Sequence, residues 1–95
     1  MNYKDKIIVI DLEATCWNGK IPDGQVNEII EIGICVLDTN TGDITQNEGI
    51  LIKPERSEIS DFCTELTTIT QALLDAEGIS FVAACTKLRE EYNPK

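Results

Sequence analysis

Residues 28–38, EIIEIGICVLD, alternate along the chain with a period of two. Side chains two residues apart on a strand share a face. Ile30, Ile32, Ile34 and Val36 therefore fall on one face, and Ile29, Glu31, Gly33, Cys35 and Leu37 on the other. The first set is wholly apolar. The second carries a charge and a glycine amid apolar residues. A strand of this kind needs a covered face, so the chain must build a sheet with at least one further layer against it.

The flanking segments supply both. Residues 6–13 read as a strand, rich in β-branched residues, that runs into the turn formers NGKIPDGQ at 18–25. TNTGD at 39–43 reads as a hairpin turn with Gly42 able to take positive φ. A third strand spans about 44–53 and ends at Pro54, which cannot donate to a ladder. Beyond it the pattern turns helical. Residues 58–67 form a short helix or helical turns, Thr70 caps a second short helix over 71–76, and Gly78 ends it. Ser80 caps a last helix over 81–92, with Phe81, Ala84, Cys85, Leu88 and Tyr92 as its apolar stripe. The coarse order is β-β-β-α-α, an α/β or α+β mixed sheet. No repeat or linker divides the 95 residues, so a single domain is expected.

The charge balance narrows the function. Seventeen acids against eight bases give a net charge of −9, which disfavours binding nucleic acid through a Lys/Arg surface. Nucleic acid held through bound cations remains open, because a metal ion inverts the local charge logic. The cysteines at 16, 35, 63 and 85 lack zinc-site spacing, and the chain has no histidine. Cys35 and Cys85 lie in periodic apolar segments, so free, buried thiols and a reducing, cytoplasmic setting are expected. MNYKDK leads into only four apolar residues, too short for a signal segment or membrane span. Without histidine, the commonest general base is missing from this chain.

The chemistry concentrates at VIDLEATCW, residues 9–17. Asp11 and Glu13 share one face of the first strand, about 6.6 Å apart along it, while Leu12 points the other way, into a core. Two carboxylates at that spacing can reach one divalent cation or bridge a pair, and their oxygens suit Mg²⁺ or Mn²⁺. They can equally be a solvated strand end. Glu31 has the same two readings: a carboxylate tied to a neighbouring loop, or a third acid on the face of Asp11 and Glu13.

VIDLEATCW, NEIIEIGICVLD and IKPERSEISDFCTELTTIT, taken together in this order, resemble the N-terminal half of a DEDDh-type 3′–5′ exonuclease of the DnaQ-like or RNase T-like superfamily. The forms DLEATCW and FCTELT are most similar to its enhanced-RNA-interference and sporulation-inhibitor branch. The resemblance runs over about residues 6–91. It implies a ribonuclease H-like fold, of which residues 1–95 would form a single partial domain. It implies that Asp11 and Glu13 are catalytic metal ligands, two of four acids holding two Mg²⁺ or Mn²⁺ ions at the 3′-terminal phosphodiester of RNA or single-stranded DNA. Ala14 and Thr15 would lie by the terminal nucleotide. Leu66, Thr67 and Ile69 match a leucine-threonine-glycine-isoleucine segment that meets the terminal bases. Trp17 would either pack near the site or take a core or rim role.

Two departures stand out. Thr68 occupies the place of the family's usual glycine. The remaining two aspartates and the histidine base have no match in these 95 residues, so the isolated chain is expected to be inactive. A catalytically dead binding module with the same fold is the alternative. The resemblance also implies that the first strand lacks a later, parallel neighbour here. Its free edge would then invite self-association.

Overall fold

The computed structural model describes residues 5–92; MNYK and NPK at the two ends lie outside them. Three strands, β1 (Lys6–Ala14), β2 (Ile29–Asp38) and β3 (Ile44–Leu51), form an antiparallel sheet in the order β1-β2-β3. Three helices follow: α1 (Asp61–Thr67), α2 (Gln71–Glu77) and α3 (Phe81–Glu91). The order is thus β-β-β-α-α-α, one helix more than the coarse β-β-β-α-α, because the first helical segment, read as a short helix or helical turns, forms a capped α-helix of its own.

The caps explain where the helices begin. The Ser60, Thr70 and Ser80 hydroxyls accept the N–H groups of Cys63, Leu73 and Ala83 at 3.0–3.1 Å. Each satisfies a donor that the first helical turn leaves free. Gly78 closes α2, its N–H donating to the Leu74 carbonyl. Gly42 takes φ +79° in the β2–β3 turn, as its place in TNTGD requires. Beyond β3, Ile52 continues only as a single parallel bridge to Ile79.

β2 is the central strand, and both layers are built on it. Ile32, Ile34 and Val36 are buried with Ile50, Ile52, Ala84 and Tyr92, so α3 lies across one face of the sheet. Tyr92 anchors its end, donating from the hydroxyl to the Glu48 carboxylate at 2.6 Å. Ile30 breaks the expected series. It packs with Cys63, Ile69 and Leu74 of the α1–α2 layer, whereas Ile29 packs toward Ile32 and Ala84. The cause is a β-bulge. Glu13 pairs with Glu31 but Ala14 pairs with Ile29, so Ile30 is the extra residue. A bulge interrupts the alternation and lets neighbouring side chains exchange faces.

Three further expectations change. Leu12 is 51% exposed and does not enter a core. It shares the α3-facing side with its partner Ile32, but β1 is an edge strand beyond the cover of α3. The α3 stripe is narrower than Phe81, Ala84, Cys85, Leu88 and Tyr92. Cys85 is exposed and Phe81 is 47% exposed, since only the Ala84, Leu88 and Tyr92 line meets the sheet. All four thiols are free, yet only Cys63 is buried. No helix among the described residues is long and apolar enough to cross a membrane.

Candidate functional site

Register decides what surrounds the two acids. Asp11 lies opposite Gly33, and Glu13 opposite Glu31. Directly paired residues of an antiparallel ladder share a face. Asp11, Glu13, Glu31 and Gly33 therefore occupy one face, the side away from α3. Gly33 in turn pairs with Gly49 of β3. Two glycines in one row leave bare backbone beside Asp11. A Cβ on Gly33 would stand 3.8 Å from the Asp11 Cβ, so that row has room.

Glu31 is on the acid face, but its carboxylate turns toward β3. A Cβ added at Gly49 would meet its Oε2 at 2.9 Å. It thus uses the gap above Gly49 and points away from Asp11. Among the described residues no three His, Cys, Asp or Glu side chains gather as a complete metal-binding group. Asp11 is exposed and Glu13 half-buried, and neither forms an ion pair among the described residues. Two free carboxylates on an open face fit a hard cation that keeps most of its shell as water and phosphate.

The α1–α2 layer brings the second group of residues to the same end of the sheet. The bulge turns Ile30 toward Cys63, Ile69 and Leu74, and this contact docks α1 beside the end of β1. The Ser60 hydroxyl donates to the Cys16 carbonyl at 2.6 Å, and the Cys63 thiol lies 3.7 Å from the Ala14 carbonyl. Burial pushes the Cys16 thiol up, and the neighbouring Cys63 thiol and the Glu13 charge add to the rise.

The residues matched to the substrate segment divide into two kinds. Leu66 is 64% exposed at the end of α1, an apolar side chain offered to solvent. Ile69 is 4% exposed and belongs to the core, so its side chain has no surface to offer a nucleotide. The Thr67 hydroxyl donates to the Cys63 carbonyl and accepts the Ile69 N–H. Thr68 takes φ 67° and ψ 0°, the left-handed cap of α1. This is the conformation that a glycine in its place would adopt without strain. Ala14 is half-buried on the bulge. Thr15 is 2% exposed, and its hydroxyl donates to the Val26 carbonyl and accepts the Glu28 N–H.

One residue at this end was not singled out by sequence reasoning. The Glu28 carboxylate accepts the N–H groups of Glu55, Arg56 and Ser57 at 2.7–3.0 Å. Burial alone would raise its pKa, but these donors outweigh it and hold Glu28 below the usual carboxylate range. The Glu28 backbone also brackets Thr15 from both sides. Glu28 therefore ties the loop after β3 to the end of β1. No local signal marks it, because its partners lie 27–29 residues away.

Comparison with known proteins fits this geometry. Residues 8–93 match the exonuclease family RNase_T. The chain is 43% identical over 75 residues to human 3′-5′ exoribonuclease 1, spanning 78% of this chain and 21% of that protein. It is 47% identical over 77 residues to human ERI1 exoribonuclease 2, spanning 79% of this chain and 11% of the relative. The chain thus spans about a fifth or less of these relatives. Among solved structures, the nuclease domain of 3′hExo, a DEDDh family member bound to rAMP, superposes with TM-score 0.81 at 38% identity. That match covers 93% of this chain and 44% of the other. A 3′-exonuclease recognising the 3′ end of a histone mRNA stem-loop superposes with TM-score 0.80 at 37% identity, covering 95% and 40%. With the acid pair on its sheet face and α1 docked beside it, the chain belongs to the RNase T-type exonuclease family, among relatives of the DEDDh class.

Proposed function

We propose that this chain is the portion of a 3′–5′ exonuclease domain that carries the first pair of metal ligands, and that the domain removes nucleotides from the 3′ end of RNA. The observation that carries the reading is the shared face of Asp11 and Glu13, with Leu66 presented by the helix docked at the same end of the sheet. The exoribonuclease relatives favour RNA over single-stranded DNA.

Asp11 and Glu13 would hold Mg²⁺ or Mn²⁺. Cations bound there would supply positive charge to the scissile phosphate and acidify a coordinated water. The chain's own residues do the positioning. The Gly33–Gly49 row keeps the floor beside Asp11 low. Thr15 and Glu28 fix the end of β1 from beneath. Leu66 offers an apolar surface to unpaired bases, a sequence-tolerant contact. No histidine is present to take a proton from water, so these 95 residues alone bind and do not cleave.

Two measurements test this. Mn²⁺ added to isotope-labelled chain should broaden the amide signals of residues 11–14, and Asp11→Asn with Glu13→Gln should remove the effect. Incubation of 3′-labelled RNA with the chain and Mn²⁺ should leave the RNA intact. Absence of broadening overturns the metal site. Mn²⁺-dependent degradation abolished by Asp11→Ala overturns the statement that these residues bind without cleaving.

A further inference from the structure

Two of the four cysteines meet where α1 docks on the end of the acid strand. Cys16 follows β1 directly in the loop that leaves it, and Cys63 sits in the first turn of α1 with no exposed surface. Both belong to one apolar group, in which Cys16 packs against the cluster of Ile30, Cys63, Ile69 and Leu74. A single hydroxyl holds both backbones. Ser60 donates to the Cys16 carbonyl at 2.6 Å and accepts the Cys63 N–H at 3.0 Å. The two thiols share a side-chain hydrogen bond, and the Cys63 sulfur lies 3.7 Å from the Ala14 carbonyl.

Two thiols held together in this way can be oxidised as a pair. Access orders the steps. Cys16 is half-buried and Cys63 is closed off, so an oxidant arriving from solvent meets Cys16 first. With hydrogen peroxide, the Cys16 sulfur attacks one oxygen, the O–O bond breaks and the other oxygen leaves as water. Cys16 is then a sulfenic acid. The Cys63 sulfur attacks the Cys16 sulfur, the S–O bond breaks, and a second water leaves as the S–S bond forms. Both thiol protons end in the two waters, and the peroxide takes the two electrons. A small-molecule thiol reverses the reaction by thiol–disulfide exchange.

We propose that Cys16 and Cys63 are a reversible disulfide site, through which peroxide fastens α1 to the loop leaving the acid strand. The bond adds to the Ser60 clamp at the same point, so the oxidised chain holds the helix of Leu66 beside Asp11 and Glu13 more firmly than the reduced chain does. Closing the loop from residue 16 to residue 63 also restricts the unfolded state, which stabilises the folded one. In a reducing compartment a bond of this kind is transient and responds to oxidant. Cys35, opposite Val9 in β2, and Cys85, exposed on α3, are the comparison thiols. The inference stands independently of the exonuclease reading.

The test exposes the reduced, folded chain to a small excess of hydrogen peroxide, removes the oxidant, alkylates the remaining thiols in denaturant and weighs the product by mass spectrometry. The expected product is a single chain that takes up two alkyl groups where the reduced chain takes four. Fragmentation of its digest should assign the link to Cys16 and Cys63. Its Tm should rise by about 10 °C and fall back on addition of dithiothreitol. Cys16→Ser should lose both the link and the rise, whereas the double variant Cys35→Ser, Cys85→Ser should keep them. Four alkylated cysteines after peroxide, a link made by Cys35 or Cys85 instead, or Cys16 taken to sulfinic acid with Cys63 still free each overturns the proposal. A linked chain that melts no higher than the reduced one overturns the fastening of α1. The wild-type link assignment decides the matter even where Cys16→Ser fails to fold.

Discussion

Replacing Thr68 by glycine should stabilise this protein, although it removes a side chain. Thr68 caps α1 with φ 67° and ψ 0°. An L-residue in this left-handed region loses roughly 1–2 kcal/mol to contact between Cβ and the backbone, and a β-branched residue lies at the unfavourable end. Nothing visible offsets the strain. Thr68 is exposed, and among the described residues its only hydrogen bond is its backbone N–H to the Thr64 carbonyl at 2.8 Å, which glycine keeps. Against the relief stands the greater freedom of glycine in the unfolded chain, about 0.5–1 kcal/mol. The net expectation is about 1 kcal/mol in favour of Thr68→Gly, or a rise in Tm of about 4–8 °C for a domain of this size. Urea unfolding followed by helical circular dichroism measures it directly. Thr68→Asn should fall between glycine and the wild type, since asparagine tolerates this region. Thr68→Ala, which retains the Cβ, should stay close to the wild type. A glycine variant no more stable than Thr68→Ala would refute the strain argument.

The two apolar residues on either side of Thr68, Leu66 and Ile69, should separate cleanly. Leu66→Ala should change stability by less than about 0.5 kcal/mol yet weaken RNA binding, whereas Ile69→Ala should lose about 2–5 kcal/mol by denaturant titration because it empties a core position. Glu28→Ala should lose about 2 kcal/mol, since it strands three backbone donors that a charged acceptor now satisfies. Glu28 also makes stability depend on acid. Its folded pKa is depressed, so its contribution is complete above the unfolded value near 4.3 and is lost as pH falls through the lower, folded value. Thermal melts across pH 2–6 should show that loss, and Glu28→Gln should reduce it. The free edge of β1, where Ile7, Val9, Ile10 and Leu12 are 46–54% exposed, should drive self-association visible in sedimentation velocity. Val9→Lys should suppress it, and a strictly monomeric wild type at high concentration would refute the expectation.

Much of the architecture could be read along the chain because its determinants are local. Ser60, Thr70 and Ser80 cap helices through hydroxyls that reach only three residues ahead. Gly42 and Gly78 mark a turn and a helix end through their own backbone. The Asp11–Glu13 spacing follows from the two-residue period of a strand. What failed to show in the sequence depends on distant partners. Glu28 looks like any strand-entry acid until the loop at 55–57 closes over it. Leu12 and Cys85 follow apolar patterns yet remain outside the core, because pattern sets which way a side chain points and not whether a helix lies above it.

The amino-acid order alone determined that a sheet would form and that two carboxylates would share one of its faces, and the family resemblance added that Thr68 stands where glycine is usual. Only the tertiary structure decided that Glu31 lies opposite Glu13 with its carboxylate aimed at Gly49, that Ile30 leaves its series to dock α1 beside the acids, and that Thr68 is held in the left-handed region. The reason is that alternation and capping are properties of neighbours in the chain. Register, bulges and cover are set by which strands and helices meet, and a single extra residue at Ile30 is enough to change which face the core occupies.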